Sequence, residues 1–139
     1  MRGLDTMIRA RRWQLDGLRR EIAALEAIAA ARRDAAARFE IEVIREQERA
    51  RLDDVGAYAY ARGYADAVIA HRASLAHALV AAESAVDERR AAMAESFADL
   101  KRLEIARDAR LRRERLERDR RAAIALDELA IDLHRRRPS

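Results

Sequence analysis

Side chains that could carry out catalysis or bind a metal are few in this chain. The sequence has three histidines and no cysteine. His71 and His77 are six residues apart, which places them on different faces of a helix, and His134 is remote from both. The glycine-rich pattern that cradles nucleotide phosphates, G-x-x-x-x-G-K-[ST], is absent. We therefore expect no enzymatic activity, no metal site and no cofactor.

Three carboxylates lie close together near the end of the chain, at Glu114, Glu117 and Asp119. Paired carboxylates can act as a general acid and base, but these three alternate with arginines. Spacings of three and four residues between opposite charges favour ion pairs along one helix. We therefore interpret these acids as partners of the neighbouring arginines on a solvated helix.

The segment from Lys101 to Arg121 is strongly cationic. It holds ten basic and five acidic residues, a net charge of +5, against +4 for the whole chain. The arginines from Arg107 to Arg121 could form a solvated face, bind phosphates without sequence preference, or meet an acidic protein surface. The interspersed acids argue against a tight nucleic-acid footprint, so no nucleic-acid partner is expected.

Composition indicates long helices. Hydrophobic residues make up 50% of the chain, mostly as alanine, aromatic residues 4% and charged residues 39%, and the single proline is Pro138. This profile is typical of coiled coils. The absence of cysteine fits a cytoplasmic protein, and Met1–Trp13 lacks the apolar core of a signal peptide. The apolar runs are too short to span a bilayer, so membrane insertion is not expected.

The first part of the chain repeats apolar residues every seven positions, which predicts a helix over about 4–53 in a left-handed coiled coil. Arg11 and Arg32 interrupt the second row, where their stems could lie along the seam while their charged heads stay in water. The two rows are Met1, Ile8, Leu15, Ile22, Ala29, Ala36, Val43, Ala50 and Leu4, Arg11, Leu18, Leu25, Arg32, Phe39, Glu46.

A break is predicted at about 54–57, where Asp53 or Asp54 suits a helix N-cap and Gly56 suits a turn. Gly63 is a second possible breakpoint. The following helix, about 58–137, is predicted to carry rows at Val68, Leu75, Ala82, Arg89, Ser96, Leu103 and at Leu79, Val86, Met93, Leu100.

The turn sets the pairing of the two helices. With its centre near Val55, Leu100 falls opposite Ala10 and Leu103 opposite Met7, so the second seam ends about where the first helix begins. A short connection gives antiparallel neighbours. We therefore predict an all-α protein: one domain over 1–139, an antiparallel two-helix coiled-coil hairpin with a longer C-terminal helix.

The end of the second helix is predicted to lack cover within the chain. After Leu103 the register slips, and the next large apolar residue on that side is Leu111. The chain turns apolar again at Ile124, and Leu126, Leu129 and Leu133 share one helical face.

Aromatic residues lie at two places. Trp13 falls on the outward side of the first heptad, where it could anchor a partner or fold over neighbouring seam residues. Tyr58, Tyr60 and Tyr64 follow the turn and could either pack at the hairpin tip or form a contact patch.

From about residue 60 to 133 the sequence resembles the FliJ family of flagellar type III export proteins, whereas the first half matches only in periodicity. The ordered series is more specific than any one of its parts. Its matching features are Tyr60, Tyr64, Val68-Ile69, His71-Arg72, Leu75, Lys101-Arg102-Leu103-Glu104, the basic run, and Leu126-Asp127-Glu128-Leu129-Ala130.

The resemblance implies a non-enzymatic stalk, similar to the γ stalk of rotary ATPases, that inserts into a hexameric export ATPase and couples it to the export gate. Substrate chaperones would also bind. The implied location is cytoplasmic, at the base of the flagellar export apparatus. The implied gate contacts are Tyr60, Tyr64, Ala67 and His71; the implied ATPase contacts are Arg107, Arg110, Arg113, Arg120, Leu126, Asp127, Glu128, Leu129 and Leu133.

The chain departs from this family at two places. No phenylalanine begins the second helix, and Ala122-Ala123-Ile124-Ala125 replaces a polar lead into the L-D-E-L sequence. Two alternatives stay open: a basic coiled coil that binds nucleic acid through Arg107–Arg121, and the equivalent stalk of a virulence type III secretion system.

Overall fold

The structure, a computed structural model, describes residues 2–52 and 63–137. They form two helices that pack against each other, α1 (Arg2–Leu52, 51 residues) and α2 (Ala65–Arg136, 72 residues). Gly63 and Tyr64 form a wider, π-type stretch directly before α2. The prediction of an all-helical protein is confirmed for this part of the chain. The predicted turn at 54–57, with Asp53, Asp54 and Gly56, lies outside the described residues.

Local sequence explains why both helices are long. α2 contains no glycine and no proline, and α1 contains only Gly3 and Gly17. Alanine, leucine, arginine and glutamate, which dominate both helices, have the most favourable helix propensities. Asp5 and Asp66 lie in the first turns, and basic residues lie in the last turns, where each charge complements the helix dipole.

The packing divides into two compact units, and each helix contributes to both. The first unit comprises Met1–Trp13 and Ser96–Ser139, and the second comprises Gln14–Glu95. Ile8, Ser96 and Leu100 are buried in the first unit. The second unit buries the side chains of Leu15, Leu18, Ile22, Ala29, Val43, Val68 and Val86. Every one of these buried residues belongs to a predicted heptad row.

Some members of the predicted rows do not lie inside. Arg32 and Arg89 are exposed, whereas Arg11 is half-buried. Arg89 extends to Glu21, with 3.3 Å between Nε and Oε2. A long stem allows an arginine at a seam position to carry its charge out to water.

Ion pairs across the two helices border the apolar contacts in the second unit. Arg33 Nε lies 3.3 Å from Glu83 Oε1, and Arg90 pairs with Glu26. Arg72 donates two hydrogen bonds to Glu40, of 2.7 and 3.0 Å. This bidentate contact with Arg72 lowers the pKa of the Glu40 carboxyl below its usual value.

The first unit has its own pairs between α1 and α2. Arg12 Nη2 donates to Glu104 Oε1 at 3.2 Å, and Arg11 Nη1 lies 3.9 Å from Asp99 Oδ2. The hydrogen bond from Arg12, assisted by the charge of Lys101, lowers the pKa of Glu104. These contacts hold the start of α1 against α2 at the point where the apolar seam ends.

Candidate partner-binding surface

Residues 110–137 of the chain, which we call the C-terminal segment, have no cover in this structure. Every residue from Arg110 to Arg137 is exposed, whereas Arg107 and Ala109 just before them are half-buried. The sequence predicted that cover would end at Leu103, and partial burial continues six residues further. The prediction that the end of the second helix is uncovered is confirmed for the described residues.

The exposed surface of the C-terminal segment includes large aliphatic side chains. Leu126, Leu129 and Leu133 are each more than half exposed. At 100° per residue their directions fall within about 60° of each other, so they form one narrow stripe. Ile124 and Ile131 are also about half exposed and point to the opposite side of the helix. An apolar stripe of this kind is characteristic of a surface that is covered in a complex.

Charge is unevenly distributed along the C-terminal segment. Residues 110–121 hold seven arginines and three acids, a net charge of +4 that equals the net charge of the whole chain. Residues 122–134 hold three acids, Asp127, Glu128 and Asp132, and no arginine or lysine. The segment therefore has a cationic half followed by an acidic, leucine-bearing half.

Part of this charge is neutralised within the helix, as the spacing of the acids predicted. Arg110 Nε lies 3.7 Å from Glu114 Oε1. Glu117 Oε1 lies 3.8 Å from Arg120 Nη2 and 3.4 Å from Arg121 Nε. Asp119, the third acid of the predicted ion pairs, makes no ion pair with any residue that the structure describes.

Other charged groups of the C-terminal segment remain available. Within the described residues, Arg113, Arg115 and Arg118 make no ion pair, and neither do Asp127 and Glu128. These groups are exposed and hydrated at the helix surface, so their charges are accessible to another molecule.

Among the residues implied for ATPase contact, Arg107 differs from the others. Its side chain is only 27% exposed, and its Nε lies 3.5 Å from Asp108 Oδ1. That nitrogen is buried and makes no hydrogen bond. Arg107 therefore belongs to the packed part of the first unit, whereas Arg110, Arg113, Arg120 and the implied residues from Leu126 to Leu133 lie on the exposed segment.

The residues implied for gate contact lie at the start of α2. Tyr60 lies outside the described residues. Tyr64 is half-buried, while Ala67 and His71, four residues apart on one face, are exposed. The sequence did not predict that the His71 ring packs edge-on against Phe39, with 4.5 Å between ring centroids. The heptad position of Phe39 was a signal that an aromatic ring would lie near α2, but it did not identify the partner.

Trp13, in contrast, makes little contact within the chain. It is 74% exposed, so it does not fold over neighbouring seam residues as one interpretation expected. It remains a candidate anchor for a partner in the first unit.

Neither a metal-binding cluster nor a membrane-spanning helix is found over residues 2–52 and 63–137. No three His, Asp or Glu side chains come together there in a way that could hold a metal ion. No helix in that part of the chain combines the length and apolar character needed to cross a bilayer. Comparison with known proteins found no matching family model, no matching curated protein and no matching solved structure.

Proposed function

We propose that this chain is a non-enzymatic stalk of the flagellar protein export apparatus, which binds a hexameric export ATPase through the C-terminal segment. The observation that supports this most directly is the exposure of every residue from Arg110 to Arg137. A helix that carries leucines and unpaired arginines at its surface is suited to enter a pore with acidic loops and an apolar collar.

The proposed architecture is an antiparallel two-helix coiled-coil hairpin in which the longer α2 supplies the stalk's free end. Support comes from the order of the ion pairs inside each unit. In the second unit Arg33 pairs with Glu83, and the later Glu40 pairs with the earlier Arg72. In the first unit Arg11 approaches Asp99, at the level expected for a turn centred near residue 55.

Each part of the C-terminal segment has a distinct role in this proposal. Arg110, Arg113 and Arg120 meet acidic groups of the ring, and Leu126, Leu129 and Leu133 fill its apolar collar. Asp127 and Glu128 point away from the leucine stripe, each about 100° from the nearest leucine, and pair with cationic groups of the ATPase on the other side of the helix. At the start of α2, Tyr64, Ala67 and His71 form the contact with the membrane-bound export gate, and substrate chaperones bind the same stalk.

The test measures ATP hydrolysis and ring assembly by the purified export ATPase, with and without the chain. We expect the full chain to stimulate hydrolysis and a chain that ends after Ala109 to give no stimulation. The truncated chain keeps all the buried residues of α1 and α2, so circular dichroism should show that it is folded. Equal stimulation by the full and the truncated chains would contradict the proposal.

A matched pair of variants separates the leucine stripe from general exposure of apolar groups. Replacing Leu126 and Leu129 with glutamate should abolish stimulation, because both lie on the stripe that enters the collar. Replacing Ile124 and Ile131 with glutamate adds the same charge on the opposite side of the helix and should have a smaller effect.

The same preparations also test the two alternatives. Nanomolar binding of a fluorescent DNA duplex that weakens steeply with salt would favour a nucleic-acid function for Arg113, Arg115 and Arg118 over the stalk. Stimulation of the ATPase of a virulence secretion system, without effect on the flagellar ATPase, would favour the virulence counterpart.

A further inference from the structure

One face of the C-terminal segment has a residue spacing that reads the same in both directions. The residues on this face begin at Leu111 and end at Leu133, and the steps from each one to the next are 4, 3, 4, 4, 3 and 4 residues, with Ala122 at the centre. At 100° per residue all of them fall within a sector of about 80°. This face, which we call the symmetric stripe, consists of Leu111, Arg115, Arg118, Ala122, Leu126, Leu129 and Leu133.

A symmetric spacing is what an antiparallel pair of identical helices requires, because a two-fold axis then places each position beside its counterpart on the second copy. With the axis at Ala122, Leu111 lies level with Leu133 of the second copy. Arg115 lies level with Leu129, and Arg118 with Leu126. The small side chain of Ala122 at the axis permits close approach of the two helices.

The charges of the two halves are complementary in this arrangement. Residues 110–121, with net charge +4, come beside residues 122–134 of the second copy, which hold three acids and no arginine or lysine. Arg115 and Arg118 make no ion pair within the described residues, and the same is true of Asp127 and Glu128. At 100° per residue, Asp127 and Glu128 point about 140° and 120° away from Ala122, so they lie outside the stripe and contribute only to the net charge of their half. The stems of Arg115 and Arg118 lie along the leucines. A parallel partner would place like charges side by side.

The structure also leaves the required space. The last half-buried residue of α2 is Ala109, and the symmetric stripe begins at Leu111. A second copy could therefore cover the stripe without displacing the α1 residues that pack in the first unit.

We propose that the symmetric stripe is a self-association surface, through which two copies of this chain form an antiparallel dimer centred on Ala122. The occupant of the apolar face is thus a second copy of the same C-terminal segment. This inference goes beyond the stalk function, although a dimer of this kind would hide the leucines that the proposed ATPase takes.

Sedimentation velocity of the full chain at low and high ionic strength tests the dimer directly. Because halves of opposite net charge lie side by side in this dimer, we expect dimers at low salt and dissociation at high salt. Replacing Leu126 and Leu129 with arginine should weaken self-association roughly a hundredfold or more, because it removes two apolar side chains and places like charges beside Arg118 and Arg115 of the second copy. The pair Ile124→Arg and Ile131→Arg should change it much less. A chain that stays monomeric over the whole concentration range at low salt would overturn the proposal.

Orientation and register are tested by introducing single cysteines, since the natural chain has none. In the proposed dimer Ala122→Cys meets its own counterpart at the axis and should form a disulfide on mild oxidation. Leu133→Cys lies on the same stripe, but its counterpart is about 33 Å away at 1.5 Å per residue, far beyond disulfide reach. It should cross-link only when mixed with Leu111→Cys.

Cross-linking of Leu133→Cys with itself, at a rate similar to that of Ala122→Cys, would overturn the antiparallel dimer in favour of a parallel one. Failure of Ala122→Cys to cross-link under conditions in which the chain sediments as a dimer would exclude this register. Neither readout involves the export ATPase, so the self-association proposal can fail while the stalk function stands, and the reverse also holds.

Discussion

Replacing Ile8 with alanine should destabilise the chain strongly, because Ile8 is the most deeply buried large side chain among the described residues. It is 1% exposed and packs in the first unit. Removing three buried carbons costs about 2.4 kcal/mol of transfer free energy at about 0.8 kcal/mol each. Incomplete closure of the resulting cavity adds to this cost, which gives an expected loss of about 2–4 kcal/mol.

Ile105→Ala is the matched control for this substitution. Ile105 belongs to the same unit but is 65% exposed. The same atoms are removed, and both variants gain the better helix propensity of alanine, which is worth less than about 0.7 kcal/mol. The difference between the two variants therefore isolates burial, and we expect the control to stay within about 0.5 kcal/mol of the natural chain.

Urea denaturation followed by far-ultraviolet circular dichroism measures both free energies of unfolding. The natural chain, Ile8→Ala and Ile105→Ala should be compared at the same protein concentration, because self-association would otherwise shift the midpoints. Equal destabilisation by the two variants would refute the assignment of Ile8 to the packed seam, and with it the register of α1 in the first unit.

Three further predictions follow from individual contacts. Ser96 Oγ is buried without a hydrogen-bond partner in the structure. Ser96→Ala should therefore raise the free energy of unfolding, measured in urea melts, by about 0.5–1 kcal/mol. A loss of stability would show that the hydroxyl has a partner. Because the pKa of Glu40 is lowered in the folded state, its pairing with Arg72 stabilises the fold above the unfolded-state pKa and is lost as pH falls through the lower, folded-state pKa. Thermal melts should therefore show a fall in stability below about pH 4, and this fall should be smaller in Arg72→Met. An unchanged acid dependence in that variant would count against the pair. Trp13, the single tryptophan, should emit at a wavelength close to that of free tryptophan and be quenched readily by iodide, whereas a blue-shifted, protected emission would mean that it is covered.

Much of the helical packing was predictable because it follows from periodicity. A side chain on a helix returns to nearly the same direction every seven residues, so the inward rows could be read without knowing the partner. This is why Leu15, Ile22, Val86 and Leu100 were all expected inside and are buried. The cationic half of the C-terminal segment was visible for the same reason, since charge needs only to be counted along the chain.

The surface contacts could not be predicted in the same way. An ion pair between two helices depends on their relative axial position and rotation, and a shift of one turn exchanges every partner. The bidentate pairing of Arg72 with Glu40, and the contact of His71 with Phe39, therefore appeared only in the folded structure.

The amino-acid sequence by itself determined that the chain would be helical, which faces would be apolar, and that a cationic stretch followed by a leucine-bearing one would come after the heptads. Only the tertiary structure decided where cover ends, at Ala109 rather than at Leu103, and which charged groups are left without a partner. The physical reason is that the direction in which a side chain leaves the helix axis is a local property. Its burial and its charge partners depend instead on which residues of the other helix lie at the same axial position.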